Sequence, residues 1–212
     1  MIHIVDSISS TNNWLAKFHN SKIDTILALK QTTGRGRRGN IWESTLGGLY
    51  VSTVYPSRNL LPFIVGISVV KVLENFCADI KLKWPNDIIL NDKKLGGILC
   101  ENEGNCTIIG IGLNLDNDCT VADSISLSMN NVSVDKYALL ASFLHNIDIY
   151  FPLSSREIIK IYEDYDYLSG KEIFWAGKSG IAKALDFDGS LVVSYAKKEI
   201  NLYSEEVHLE RH

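Results

Sequence analysis

The sequence predicts an α+β fold: a largely antiparallel sheet flanked by helices, followed by a small C-terminal β-barrel. Three observations predict it. Between Lys81 and Leu115, short apolar runs alternate with turn pairs at Asn91-Asp92 and Gly104-Asn105, the pattern of an antiparallel meander. Segments of helical length and apolar spacing stand on both sides, Leu61 to Phe76 before it and Val134 to Tyr150 with Ser155 to Tyr165 after it. Beyond Ser169-Gly170 the chain changes to short strands broken by Gly177, Gly180 and the hairpin pair Asp188-Gly189.

In chain order, Ile2 to Val5 is a short apolar run, and Asp6, Ser7, Ser9 and Ser10 supply turn and helix-cap chemistry for a helix through Trp14, Leu15 and Phe18. Ile23 to Gln31 reads as a buried strand. It leads into Thr32 to Asn40, which has no apolar period and is expected to be a loop. Leu49 to Tyr55 alternates as a strand, closed by Pro56 and Ser57, and the helix from Leu61 forms the spine of the core. The meander then comprises Lys81 to Lys83, Ile88 to Leu90, Leu95 to Glu101 and Thr107 to Leu115. The change of composition near Leu168 divides the chain into a main domain, 1–168, and a small one, 169–212.

Composition excludes several functions. With 212 residues, 46% hydrophobic and 22% charged, the chain can bury a core and is neither disordered nor fibrous. A net charge of -4 argues against a general nucleic-acid coat. The longest apolar run, Leu60 to Val70, is broken by Pro62 and falls short of a membrane span. The N-terminus does not read as a signal peptide, so the expected compartment is the cytoplasm. Cys77, Cys100, Cys106 and Cys119 form no C-x-x-C pair and read as reduced thiols, and the His residues show no metal spacing.

Four blocks carry chemistry. Gly34-Arg35-Gly36-Arg37-Arg38-Gly39 combines a backbone that a ligand can approach closely with guanidinium forks suited to carboxylate or phosphate oxygens. A solvated turn or a nucleic-acid contact is the alternative, and neither the P-loop nor the dinucleotide fingerprint is present. Lys83-Trp84-Pro85-Asn86-Asp87 sets an amide and a carboxylate beside an aromatic, which in a core is costly unless they bind something; a capped turn is the alternative. Lys94-Leu95-Gly96-Gly97 opens a strand with a cation and paired glycines. Gly110-Ile111-Gly112-Leu113-Asn114 is an apolar strand that carries one Asn.

These four blocks in this order, with Trp42 just after the first, resemble the signature blocks of the biotin-protein ligase family. The resemblance is strong from Ser10-Thr11-Asn12 to Asn114 and looser beyond, where Asp188-Gly189-Ser190-Leu191 and the last strands look like that family's small SH3-like domain. It implies a class II synthetase-like fold, a mixed sheet flanked by helices plus that barrel. It also implies a two-step reaction: the carboxylate of biotin attacks the α-phosphate of Mg-ATP to give biotinyl-5'-adenylate, and a Lys of a carrier then takes the acyl group.

By the same resemblance, Lys94, Arg35 and Arg37 are the expected catalytic residues, with Lys94 touching both biotin and the α-phosphate. Ser10, Thr11, Asn12, Gln31, Arg35, Gly36, Arg37, Lys94 and Gly97 are expected to line the biotin site. Arg35, Arg37, Arg38, Trp42, Asn86, Lys94 and Asn114 would take ATP or the adenylate, and Asp87 would stand near Mg2+. The loop is expected to be mobile when empty and to order over the intermediate. Asn40 stands where the family often has another basic residue, which bears on retention of the intermediate rather than on reaction type. The catalytic region begins close to Met1, so a monofunctional enzyme without a DNA-binding domain is expected. The implied partner is the biotin carboxyl carrier domain of a carboxylase, most plausibly acetyl-CoA carboxylase; monomer and homodimer both stay open. Lipoate-protein ligase and a non-catalytic biotin-binding protein are the rival readings.

Overall fold

The structure, a computed structural model, describes residues 2–20 and 24–209. Strand β1 (Ile2–Ile8) leads through the cap Ser10 into α1 (Thr11–Phe18), and β2 (Thr25–Gln31) and β3 (Leu49–Pro56) follow on either side of the Gly/Arg loop. Helix α2 (Leu61–Leu73) precedes the meander β4 (Ile80–Lys83), β5 (Asp87–Leu90), β6 (Lys93–Glu103) and β7 (Cys106–Leu113). Helices α3 (Lys136–Tyr150) and α4 (Ser155–Glu163) come next. The chain ends in β8 (Glu172–Trp175), β9 (Lys178–Leu185), β10 (Leu191–Tyr195) and β11 (Lys198–Leu202).

The first seven strands form one mixed sheet in the order β1-β2-β3-β7-β6-β5-β4, parallel only between β1 and β2. Adjacent residues of a strand point to opposite faces, and this divides the interior. Leu27, Val51, Ile109 and Ile111 join the large core beneath α2. Ile26 and Ile108, on the other face, pack with Leu15 of α1. Helix α2 is apolar nearly all round and is correspondingly buried between the sheet and helices α3 and α4. The last four strands make an antiparallel sheet, β11-β10-β9-β8, whose Ile173, Trp175, Leu191 and Val193 belong to the same continuous core.

Several boundaries differ from expectation. β1 runs on through Asp6 and Ser7, because as an edge strand it pairs on one side only and can expose polar residues on the other. Ile23 lies outside the described residues, and β2 begins at Thr25. Helix α2 stops at Leu73, leaving Phe76 half exposed. Asp135 caps α3 with its side chain on Tyr137 and Ala138 backbone N–H groups, and Ser154 with Glu157 forms a capping box on α4, which ends at Glu163 rather than Tyr165. β7 ends at Leu113, so Asn114 is a loop residue and not part of a strand. Among the described residues no helix is long and apolar enough to cross a membrane.

Candidate active site

Register builds the floor of the site. Lys83 pairs with Asp87, Asp87 with Gly97, Gly97 with Gly112 and Gly112 with Tyr50, so one row of residues crosses four strand pairs on the α1 side of the sheet. Directly paired residues share a face. The next row is Leu99, Gly110 and Ser52, and the next is Glu101, Ile108 and Val54. The glycines make this face concave. A Cβ at Gly110 would overlap the Asn12 amide, and one at Gly112 would overlap the Trp42 indole.

Over this floor lies a cleft of about 200 Å³, walled by the start of α1, the Gly/Arg loop, the turn after β4 and the segment 204–208 near the C-terminus. The loop is a tight arch: Trp42 N–H donates to Gly34, Gly36 N–H to Asn40 and Asn40 N–H to Arg37, with Arg38 and Gly39 at positive φ. It sets Trp42 against Gly112 and Gly97, and the indole N–H is buried without a partner.

One end of the cleft is neutral and buried. Ser10, Thr11 and Asn12 are each under 5% exposed, and Gln31 bonds to Thr11 and Ser44. The other end is cationic. Lys94 Nζ sits 2.7 Å from Asp87 Oδ1 and 5.6 Å from the Trp42 ring centre. Arg37 donates to Asn86 Oδ1 at 3.1 Å and, with Arg38, to the Ser204 carbonyl. Arg35 pairs with Glu101 at 2.8 Å and donates to Asn13. Burial, and then Arg38 beside it, lower the Arg37 pKa, against which Asp87 and Glu206 act. Burial likewise lowers the Lys83 pKa, with Lys94 adding to the effect and Asp87 and Glu206 opposing it. Two cations, Arg37 and Lys83, are thus held partly desolvated where an anionic ligand would be their best counter-charge.

Of the residues singled out from the sequence, Ser10, Thr11, Asn12, Gln31, Arg35, Gly36, Arg37, Arg38, Trp42, Asn86, Asp87, Lys94 and Gly97 all line this cleft. Asn114 does not: its amide donates to the Ile125 carbonyl and accepts from Asn117, closing the loop after β7. Trp84 also lines the cleft but is almost fully buried, and its indole N–H donates to the Gly189 carbonyl at 2.9 Å, tying this wall to the turn before β10. Lys83 stands at the head of the second sequence block but carries no expected role there, and the 204–208 wall with Glu206 was not foreseen, since nothing local marks that segment.

Among the described residues no group of three or more His, Cys, Asp or Glu side chains is placed to hold a metal. Asp87 offers one carboxylate on the floor beside the Asn86 amide, a donor set suited to an ion carried mainly by phosphate oxygens. Cys77, Cys100, Cys106 and Cys119 are free, and burial pushes the Cys100 thiol up to about 12, which keeps it unreactive.

Residues 4–116 match the model of the Biotin/lipoate A/B protein ligase family. Among curated proteins the chain is 29% identical over 157 residues to Biotin--protein ligase 1, chloroplastic, of Arabidopsis thaliana, a match that covers 65% of this chain and 43% of that one. It is 29% identical over 225 residues to the bifunctional ligase/repressor BirA of Escherichia coli, covering 91% of this chain and 68% of that one. The chain thus spans under half of the plant ligase. Among solved structures, the biotin protein ligase from Aquifex aeolicus in complex with biotin and ATP superposes with a TM-score of 0.86 at 27% identity, covering 100% of this chain and 99% of that one.

Proposed function

Because the chain belongs to the Biotin/lipoate A/B protein ligase family, we propose that it is an ATP-dependent biotin-protein ligase that modifies a Lys of a biotin carboxyl carrier domain, that of acetyl-CoA carboxylase being the expected acceptor. The observation that carries this reading is the polarity of one cleft: buried neutral hydroxyls and amides at one end, and Lys83, Lys94, Arg37 and Arg38 at the other. A ureido ring offers donors and an acceptor to that neutral wall. A dithiolane ring would offer no match to the Ser10 hydroxyl hydrogen or to the Thr11 Oγ1 acceptor, which favours biotin over lipoate.

In the first step a carboxylate oxygen of biotin attacks the α-phosphorus of Mg-ATP. The P–O bond to the β-phosphate breaks, and its electrons leave with pyrophosphate. Two anions must meet, so the barrier falls mainly through neutralisation and alignment. Lys94, whose Nζ reaches Asp87 of the floor row at 2.7 Å, is placed to touch both reactants, with Arg37, Arg38 and Lys83 on the departing phosphates and Trp42 over the adenylate. Arg35 is held by Glu101 and acts from the loop toward the biotin side. Asp87 and Asn86 would be the residues to hold a Mg2+ carried by the nucleotide, which would supply positive charge to the leaving pyrophosphate. In the second step the uncharged Lys amine of the carrier attacks the acyl carbon, AMP leaves with the C–O bond electrons, and the nitrogen sheds a proton.

The test is transfer of biotin to a purified carrier domain with ATP and Mg2+, with lipoate as competitor. ATP-dependent biotinylation is expected. Transfer of lipoate alone would overturn the choice of acid, and biotin binding without pyrophosphate release would reduce the protein to a binder. Cytoplasmic location goes with this reading.

A further inference from the structure

We propose that Glu101, on β6 beside the cleft, is a positioning residue that sets the direction of the hydrogen bonds in the neutral wall and ties that wall to both ends of the Gly/Arg loop. The inference rests on the biotin reading above and concerns a residue that touches no reactant in it.

Glu101 shares its face with Gly97 and Leu99 through the register of β6 with β7. One of its oxygens accepts from Arg35 Nη2 at 2.8 Å. The other accepts from Arg35 Nη1 at 3.3 Å and from Asn12 Nδ2 at 2.8 Å. An ionised carboxylate only accepts. Asn12 must therefore turn its NH2 toward Glu101, where the Leu99 carbonyl also accepts from it at 3.4 Å, and this leaves its Oδ1 facing Ser52 Oγ at 2.5 Å. Ser52 has one hydrogen, and Asn12 takes it. Thr11, whose Oγ1 lies 2.7 Å from Ser52 Oγ, has two acceptors in reach of its one hydroxyl hydrogen, Ser52 Oγ and Gln31 Oε1 at 3.1 Å, and the hydrogen is committed to one of them.

The order continues around the wall. Gln31 Oε1 accepts the Thr11 backbone N–H at 2.8 Å, Gln31 Nε2 donates to Ser44 Oγ at 2.8 Å, and Ser44 donates to the Trp42 carbonyl at 3.1 Å. The chain of bonds starts at Arg35 and ends at Trp42, the two flanks of the loop. Asn12 is 4% exposed and Ser52 is 0%, so solvent has little room to reverse a link between them. The consequence is a fixed presentation to the ligand. Thr11 Oγ1, its hydrogen committed, faces the cleft as an acceptor, while the Ser10 hydroxyl oxygen accepts from Asn13 N–H and keeps its hydrogen to donate. A ring with N–H groups and one carbonyl meets that pattern; its donor-acceptor inverse does not.

Glu101→Gln tests this in the whole chain. The amide is the same size but can donate or accept, so the strong constraint is gone and only the long 3.4 Å bond to the Leu99 carbonyl still favours one direction. Biotin binding is measured calorimetrically without ATP, and KM and kcat of biotin-dependent pyrophosphate release are measured with ATP. We expect the Kd and KM for biotin to rise about tenfold to a hundredfold, the loss of one charge-assisted link, with the KM for ATP within about threefold of wild type. A purely structural role would lower Tm and leave the biotin KM of the folded fraction unchanged, and that result overturns the proposal. Ser52→Ala breaks the relay without touching the Arg35 pair and serves if the first variant fails to fold. It too should weaken biotin, and wild-type affinity in it would also overturn the proposal. Wild-type protein that binds no biotin removes the functional reading itself, whereas wild-type binding that both variants match removes only the role of Glu101.

Discussion

Replacing Lys94 by Ala separates the charge that drives adenylation from the charges that hold the fold. Lys94 Nζ lies 2.7 Å from Asp87 Oδ1, with the two side chains 39% and 22% exposed. A partly exposed pair of this kind contributes at most about 1 kcal/mol, so Tm should fall by no more than about 4 °C in a chain of this length. The effect on rate is larger. A phosphate oxygen brought to about 4 Å of an ammonium in surroundings of effective dielectric near 20 gains about 4 kcal/mol. Asp87, 2.7 Å away, already neutralises part of that charge, so about 3 kcal/mol remains as transition-state stabilisation, or about a hundredfold in kcat/KM. The assay is biotin-dependent pyrophosphate release, run beside thermal denaturation of the same samples. A variant that keeps more than about a fifth of wild-type turnover would show that Lys94 is not the cation the reaction needs. A collapse in Tm would show that the rate loss reports folding instead.

Trp84→Phe should act on stability and spare the chemistry, because it removes the indole bond to the Gly189 carbonyl and opens a gap in the buried interior. The expected loss is about 2–3 kcal/mol, read as a drop of about 4–10 °C in Tm, and a Tm within about 2 °C of wild type would refute the anchoring role. Gly112→Ala should do the reverse: its Cβ displaces Trp42 from the floor, and biotin-dependent pyrophosphate release should fall more than about tenfold with little change in Tm, since the indole can swing outward. Unchanged turnover in that variant would mean the seat of Trp42 is irrelevant to the ligand.

Lys83 gives a pH prediction. Burial holds its pKa below the ordinary 10.5. Its charge, and with it part of the hold on phosphate, is therefore lost as pH rises through that lowered value, giving kcat/KM for ATP an alkaline fall that Lys83→Arg moves upward. The linkage sign is opposite for stability. The penalty of burying the charged form is present below the folded pKa and is relieved as pH rises past it. An alkaline limb identical in wild type and Lys83→Arg would exclude this residue.

The elements most legible in the sequence were those whose pattern is contiguous. The turn pairs Asn91-Asp92 and Gly104-Asn105 delimit β5, β6 and β7, and the length and apolar character of Leu61 onward announce a buried helix. The same holds for the Gly/Arg loop and the Lys94-Leu95-Gly96-Gly97 block, because a ligand-approaching backbone and its cations lie next to each other in the chain.

Tertiary structure decided the rest. Register placed Lys83, Asp87, Gly97 and Gly112 in one row, a relation between four strands that no local window contains. Asn114, expected from the resemblance to read the nucleotide, bonds here to Ile125 and Asn117, and Trp84, inside a functional block, donates to Gly189. The sequence by itself determined which segments form strands and helices and which residue types are available for chemistry, since propensity and periodicity act over neighbouring residues. Which of those residues face the cleft, which are consumed in holding it, and how Glu101 orients Asn12 from 89 positions away were settled only when the strands paired, because hydrogen bonds and charges act through distance in space.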